Sequence, residues 1–333
     1  TIKPLLGALC MGATIAAYAT PSITIGVQAP ITGKYANEGQ GFADGVKLYV
    51  NQVNAKGGLL GRHVTVTVCD DEGEAAAAAI CARQLINEGV LAVVGSYTSG
   101  ASLAAEPLYA RANVIQTAPS SSDELTSRGY NTFFRNAPPN SAEAVFTAGY
   151  FKAMGYKSVA ILTDHSSFAM GLADAVIANA SKQGINVLDK AFITAGSQNY
   201  TPVLTKLNAL NPQVIYFSGY YTDGGLIKAQ MAQLGMKAKF VGGDANENTA
   251  FVQIAGNAAA GATIINVPAP QDLPYPSAKR FLTEFKAAYG HEPPSVYTLA
   301  ATDGLRAIFA TAEKINSVAP DKLIPAMHNL RDF

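Results

Sequence analysis

The chain has 333 residues, 49% of them hydrophobic, enough for about two domains with substantial cores. Lysine plus arginine and aspartate plus glutamate both number 24, so the chain is formally neutral. That balance argues against a nucleic-acid binder, which carries a basic face or stripe, and leaves small-molecule binders and enzymes open.

The opening stretch TIKPLLGALCMGATIAAYATPS reads as a targeting segment covering residues 1–22. Lys3 precedes an apolar run from Leu5 to Ala17, and Ala17-Tyr18-Ala19 fits the small-x-small cleavage rule. The run is shorter than the about 20 apolar residues of a membrane-spanning helix. An ordinary buried helix is the competing reading. With no initiator Met, the sequence is expected to lack its first residues. Cys10 follows Leu9, where a lipoprotein signal wants a small residue. Export to a periplasm is the expectation.

From Ile23 onward, strand and helix signals alternate. ITIGVQA (23–29) is apolar and β-branched, and FADGVKLYVNQVNAKGG (42–58) has helical spacing at Val46, Val50 and Val53 before its Gly57-Gly58 stop. HVTVTVCD (63–70) alternates as a half-buried strand does. EAAAAAICARQLINEG is a strong helix former, and VLAVVG is the continuous apolar run of a strand covered on both faces. Further strands are predicted at 113–117, 132–136, 158–163, 186–193, 214–218, 239–243 and 262–267. Helices are predicted at 141–154, 168–183, 201–210, 222–234, 276–289 and 297–315.

Such alternation makes parallel sheets with helices on both faces. About ten strands exceed one comfortable sheet, so the chain is predicted to form two α/β lobes. RNAPPNSAE (135–143) and VPAPQDLPYP (267–276) are the candidate crossings. The first lobe would hold 23–137 and 268–333, the second 138–267. Cys69 ends a strand and Cys81 lies in the next helix; an oxidising compartment permits a disulfide between them, and two buried free thiols fit equally well. No C-x-x-C occurs and histidines number four, so neither zinc nor another cofactor is indicated.

In a doubly wound sheet, ligands sit beyond the carboxyl ends of strands, where helices begin. VVGSYTSG (93–100) is such a place, with Ser99 or Ser102 able to cap the helix and an N-terminus that attracts an anion. A phosphate loop would need a lysine near the second glycine, and a hydrolase elbow would need G-x-S-x-G; both are missing. GQGFADG lies about ten residues beyond its strand, too far for a dinucleotide fingerprint, and Gly41 and Gly45 read instead as close helix packing. VIQTAPSSSDELTSRG (114–129) adds three serines at the next strand end. Together the two ends form a donor-rich shelf suited to a carboxylate.

From IGVQAPITGKYANEGQGFADGVKLYVNQVNAKGGLLG through CDDEGEAAAAAICARQLI, VVGSYTSGAS and SSSDELTSRG, the chain resembles the periplasmic branched-chain amino acid binding proteins. The likeness continues through AILTDHSSFAMGLADAV, VIYFSGYYTDGGLIKAQMAQLG, FVGGDANEN and YTLAATDGLRA. The resemblance implies a type I two-lobe receptor of an ABC importer. It implies Ser99 and Ser121 at the ligand carboxylate, with Ser120 beside them, and the Pro119 carbonyl at the ammonium. It also implies a lid tyrosine at Tyr220 and the ammonium-binding acid at Asp244.

Three departures stand out. Phe168 occupies a place where the family often has an aromatic hydroxyl. Glu38 stands where leucine binders often have an aromatic ring; it reads as a solvated loop acid. If it faces the cleft, the pocket would favour a donor-bearing side chain over leucine, with Tyr97 and Thr98 as further polar contacts. The chain also stops at NLRDF, before the family's closing segment, so it is expected to be truncated or to lack those elements.

The expectation is an exported, monomeric, non-enzymatic receptor that closes on a free α-amino acid and delivers it to a membrane permease. A sensory or regulatory module of the same fold is the alternative.

Overall fold

A computed structural model describes residues 21–331. The expected leader, with Cys10, lies outside the described residues. The first part of the chain runs β1 (Ile23–Ala29), α1 (Ala36–Ala55), β2 (Val64–Asp70), α2 (Ala75–Asn87) and β3 (Ala92–Val94). It continues through α3 (Ser99–Arg111), β4 (Ile115–Ala118) and β5 (Phe133–Arg135). A second series follows: α4 (Asn140–Ala153), β6 (Ser158–Thr163), α5 (Ser167–Lys182), β7 (Asn186–Phe192) and α6 (Thr201–Asn208). It ends with β8 (Val214–Ser218), α7 (Tyr221–Gln233), β9 (Lys239–Gly242), α8 (Thr249–Ala255) and β10 (Thr263–Ile264). Three helices close the described chain: α9 (Pro276–Tyr289), α10 (Val296–Ile315) and α11 (Pro320–His328).

The strands form two five-stranded parallel sheets, ordered β2-β1-β3-β4-β5 and β10-β9-β8-β6-β7. Counted from its own first strand, each sheet has the same order. Each therefore has a switch point beside its first strand, between β1 and β3 and between β6 and β8. The continuous apolar runs become the central strands: every residue of β3 and of β8 is buried. This is the two-lobe α/β arrangement expected of a type I binding-protein fold. After Pro276 the chain returns to the first sheet, where α10 lies against α1, β3 and β4.

The α1–α10 contact is close because of two glycines. A Cβ at Gly41 would stand 2.5 Å from Thr298 Oγ1, and one at Gly45 would stand 2.4 Å from Thr302 Oγ1. The same contact carries α1 back to Ala36, well before the predicted start, so the glycine-rich GQG is helical. Cys69 and Cys81 are joined by a disulfide that ties the end of β2 to α2, with Cα atoms 5.6 Å apart.

The predicted strand at 262–267 shrinks to Thr263–Ile264. Beyond it, Ile265 still donates to the Gly242 carbonyl. Asn266 then turns its amide to the Asp244 carbonyl, and Pro268 has no N–H to extend a ladder. Helix α11 had no counterpart in the predicted pattern; it buries Leu323, Ile324 and Met327.

Candidate functional site

In the first lobe, β3 delivers the chain to Gly95, whose φ of +121° suits glycine. A Cβ there would also sit 1.8 Å from the Gln28 carbonyl oxygen. The cap of α3 is neither Ser99 nor Ser102. Thr98 accepts from the Ala101 N–H, while its own hydroxyl donates to the Gly73 carbonyl at 2.8 Å. This frees Ser99, buried in the first turn of α3. Its Oγ accepts from the Ser122 N–H at 3.2 Å, and the hydroxyl proton has no acceptor among the described residues. Ser102 instead accepts from the Ser96 N–H and pairs with the Ser120 hydroxyl at 2.8 Å.

The serine loop after β4 is pinned from beneath. Arg135 donates to the carbonyls of Ser120 and Ser122, each at 2.8 Å. Ser120 donates to the Ser96 carbonyl at 2.8 Å, so it fastens the two strand ends together. That leaves Ser121 facing the opposite lobe.

The second lobe supplies its groups from the matching places. Phe168 stands in the first turn of α5, after β6. Tyr220 precedes α7, after β8, and its ring lies 5.1 Å from that of Phe168. The Tyr220 hydroxyl is buried with no hydrogen-bond partner among the described residues. Asp244 opens a short 3-10 turn after β9. Its Oδ1 accepts from the Ala245 N–H at 2.7 Å and its Oδ2 from the Ser121 hydroxyl at 2.9 Å. Behind it, Glu143 of α4 accepts from the Asp244 N–H at 3.1 Å and from the Tyr216 hydroxyl at 3.3 Å. Burial raises the pKa of both acids, and the charge of Asp244 adds to the rise at Glu143. The pair thus favours holding a proton until a cation arrives.

Tyr97, Ser99, Pro119, Ser121, Phe168, Tyr220, Asp244, Ala245 and Tyr297 enclose one small cavity between the lobes. It has about 10 Å³ of room for the centre of a water-sized sphere. Its chemistry has two poles: hydroxyls and a helix N-terminus on one side, a buried carboxylate on the other. Aromatic rings wall the space between, with Tyr97 centred 5.6 Å from Tyr220 and 6.0 Å from Tyr297. Among the described residues, no lysine or arginine lines it. An anion here is held by N–H and hydroxyl dipoles, and a cation by a carboxylate.

A family model described as periplasmic binding protein matches residues 22–333. The chain belongs to the periplasmic binding protein family. It is 33% identical to a Leu/Ile/Val-binding protein homolog from Brucella melitensis, over 94% of this chain and 85% of that one. It is 29% identical to a leucine-, isoleucine-, valine-, threonine- and alanine-binding protein from Pseudomonas aeruginosa, over 93% and 83%. Among solved structures it is similar to a leucine-binding protein from Thermotoga maritima, with TM-score 0.87 and 27% identity over 93% and 88% of the chains. A branched-chain amino acid transporter substrate-binding protein from Streptococcus pneumoniae, complexed with isoleucine, gives 0.85 and 27% over 94% and 89%.

Of the residues singled out in the sequence, this binding protein brings Tyr97, Ser99, Pro119, Ser121, Phe168, Tyr220 and Asp244 to one cavity. Thr98 and Ser120 do not line it; both are taken up in holding the loops that do. Glu38 is not a solvated loop acid. It lies in α1, fully buried, accepting from Ser295 Oγ at 2.6 Å and from Asn248 Nδ2 at 2.7 Å. Nor does it line the cavity, so the case for a polar side-chain pocket falls away. Sequence reasoning missed Tyr297, Ala245 and Glu143. Tyr297 sits inside the YTLAATDGLRA likeness, which was a signal, whereas Glu143 looks like any helical acid.

Proposed function

We propose that this chain is the exported receptor of an ABC importer, closing its two lobes around a free α-amino acid with an apolar side chain. The observation that carries the reading is the polarity of the cavity: Ser99 and Ser121 on one lobe face Asp244 on the other across an aromatic wall. A zwitterion needs donors at one end and a carboxylate at the other. The ligand carboxylate takes the Ser99 hydroxyl and the first N–H groups of α3, and its ammonium goes to Asp244 and the Pro119 carbonyl. The unpartnered Tyr220 hydroxyl supplies a further donor. The aromatic rings give the cavity an apolar wall suited to an aliphatic side chain once the lobes open to admit it, in keeping with the names of the relatives.

Because the binding groups come from both lobes, ligand favours the closed state over the open one. A cavity with room for about one water must open to load. One chain carries both halves of the site, so a monomer suffices. The delivery partner is a membrane permease, and the compartment is the periplasm.

A thermal-shift screen of the twenty amino acids tests the reading. A ligand at 100 times its dissociation constant stabilises by about 2.7 kcal/mol. A clear shift with leucine, isoleucine or valine is expected; no shift with any amino acid would overturn it.

A further inference from the structure

We propose that Glu38 is a positioning residue that latches the two lobes together and sets how long the ligand stays bound, without touching the ligand. Its carboxylate joins two helix caps from opposite lobes. Ser295 caps α10 on the first lobe, accepting from the Tyr297 N–H at 3.0 Å while donating to Glu38 Oε1. Asn248 caps α8 on the second lobe. Its Oδ1 accepts from the Ala250 N–H and from Asn37 of α1, both at 2.8 Å, and its Nδ2 donates to Glu38 Oε2. Every polar atom of the Asn248 side chain is therefore committed across the seam.

Flanking contacts run in the same direction. Glu247 Oε2 accepts from the Val296 N–H at 3.0 Å, and the Thr249 N–H donates to the Pro294 carbonyl at 2.9 Å. When the lobes part, these bonds break together, and Glu38 exchanges Asn248 for water. The latch belongs to the closed state alone, so its effect falls on release rather than on capture.

The titratable groups around Glu38 are Tyr97 from the loop after β3, Tyr221 of α7 and Glu247 before α8. Burial raises the Glu38 pKa to about 8, and the Ser295 and Asn248 bonds lower it only in part. A closed seam therefore holds the Glu38 proton more tightly than an open, wetted one. Closure is favoured at low pH and weakens as pH rises toward about 8.

The latch rests on the two-lobe receptor reading, and its test separates the two. Stopped-flow association and release of leucine and of alanine are measured for wild type, E38A and E38Q from pH 6 to pH 9, with small-angle scattering of each ligand-free protein. E38A should release ligand about tenfold faster, with an association rate no slower than that of wild type. E38Q imitates the protonated acid, so it should keep slow release and lose the fall in affinity with pH. E38A releasing at the wild-type rate would overturn the latch. A loss that differs between leucine and alanine would also do so, because it would place Glu38 against the ligand. If wild type binds no amino acid, the receptor reading fails, and scattering still decides the latch. A larger radius for E38A supports it, and identical curves overturn it.

Discussion

The Ser121 hydroxyl of one lobe donates to Asp244 Oδ2 of the other at 2.9 Å, both side chains buried. One hydrogen bond thus joins the two poles of the cavity. On the proposed function, a ligand ammonium arriving between them would find an acid already aimed and already desolvated, leaving the serine to serve the carboxylate.

Asp244→Ala should therefore reduce amino acid binding far more than a surface substitution. It leaves a buried ammonium unpaired, a loss of about 3–5 kcal/mol, on the order of a hundredfold or more in affinity. Calorimetry reads it directly; a change under about threefold would remove Asp244 from the site.

Ser99 and Thr98 divide two tasks that the sequence alone left merged. Ser99→Ala should weaken ligand by about 1.5–3 kcal/mol, the worth of a hydrogen bond to a charged group. It should also lower the ligand-free melting point, because it orphans the buried Ser122 N–H at a cost of about 1 kcal/mol or more. Thr98→Ala removes the true cap and should cost about 1 kcal/mol of stability. Both variants should melt lower, and titrations should separate them, with Ser99→Ala losing more affinity than Thr98→Ala.

The Cys69–Cys81 bond closes a loop of sequence separation 12. Replacing both cysteines with alanine should destabilise the protein by about 3 kcal/mol, seen as a lower urea midpoint. The same drop should appear when wild type is reduced, and reduction should leave the double variant unaffected.

Glu38 also gives the ligand-free protein a pH signature. Its folded pKa is about 8 against an ordinary value of 4.5, so the folded chain binds more protons than the unfolded chain between those values. Stability then falls as pH rises through that window, by at most about 1.4 kcal/mol per unit, and levels off above it. Denaturation midpoints from pH 5 to pH 9 should show a shallower slope in E38Q than in wild type.

The strand and helix order was legible because local signals agree with the fold: valine and isoleucine runs become buried strands, and Gly89, Gly155, Gly184 and Gly235 follow helices that end where expected. The start of α1 was not legible. Gly39 and Gly41 argue against a helix on propensity, and the close approach of Pro30, Pro294 and Thr298 overrides it. That override is why Glu38 was placed in a loop. Strand ends and helix starts, which chain order reveals, pointed to the loops that hold Ser99 and the serine triplet; the choice of Ser99 and Ser121 within them came through the family likeness. Asp244 came only through the family likeness, since an acid after a strand looks like any loop residue. Glu143 could not be read, because its place behind Asp244 arises when α4 packs on strand ends about 100 residues away in sequence. Tyr297 had only the family likeness as a signal, because it reaches Asp244 across the seam between the lobes.

The proposed function stands or falls on whether the cavity recognises both charged ends of a free amino acid. Titrating one aliphatic amino acid, leucine, against its N-acetyl and methyl ester derivatives in a calorimeter tests it most directly. Saturable one-to-one binding of leucine is expected, with each blocked form weaker by at least about a hundredfold. N-acetyl-leucine binding as tightly as leucine, or no binding by any free amino acid, would contradict it.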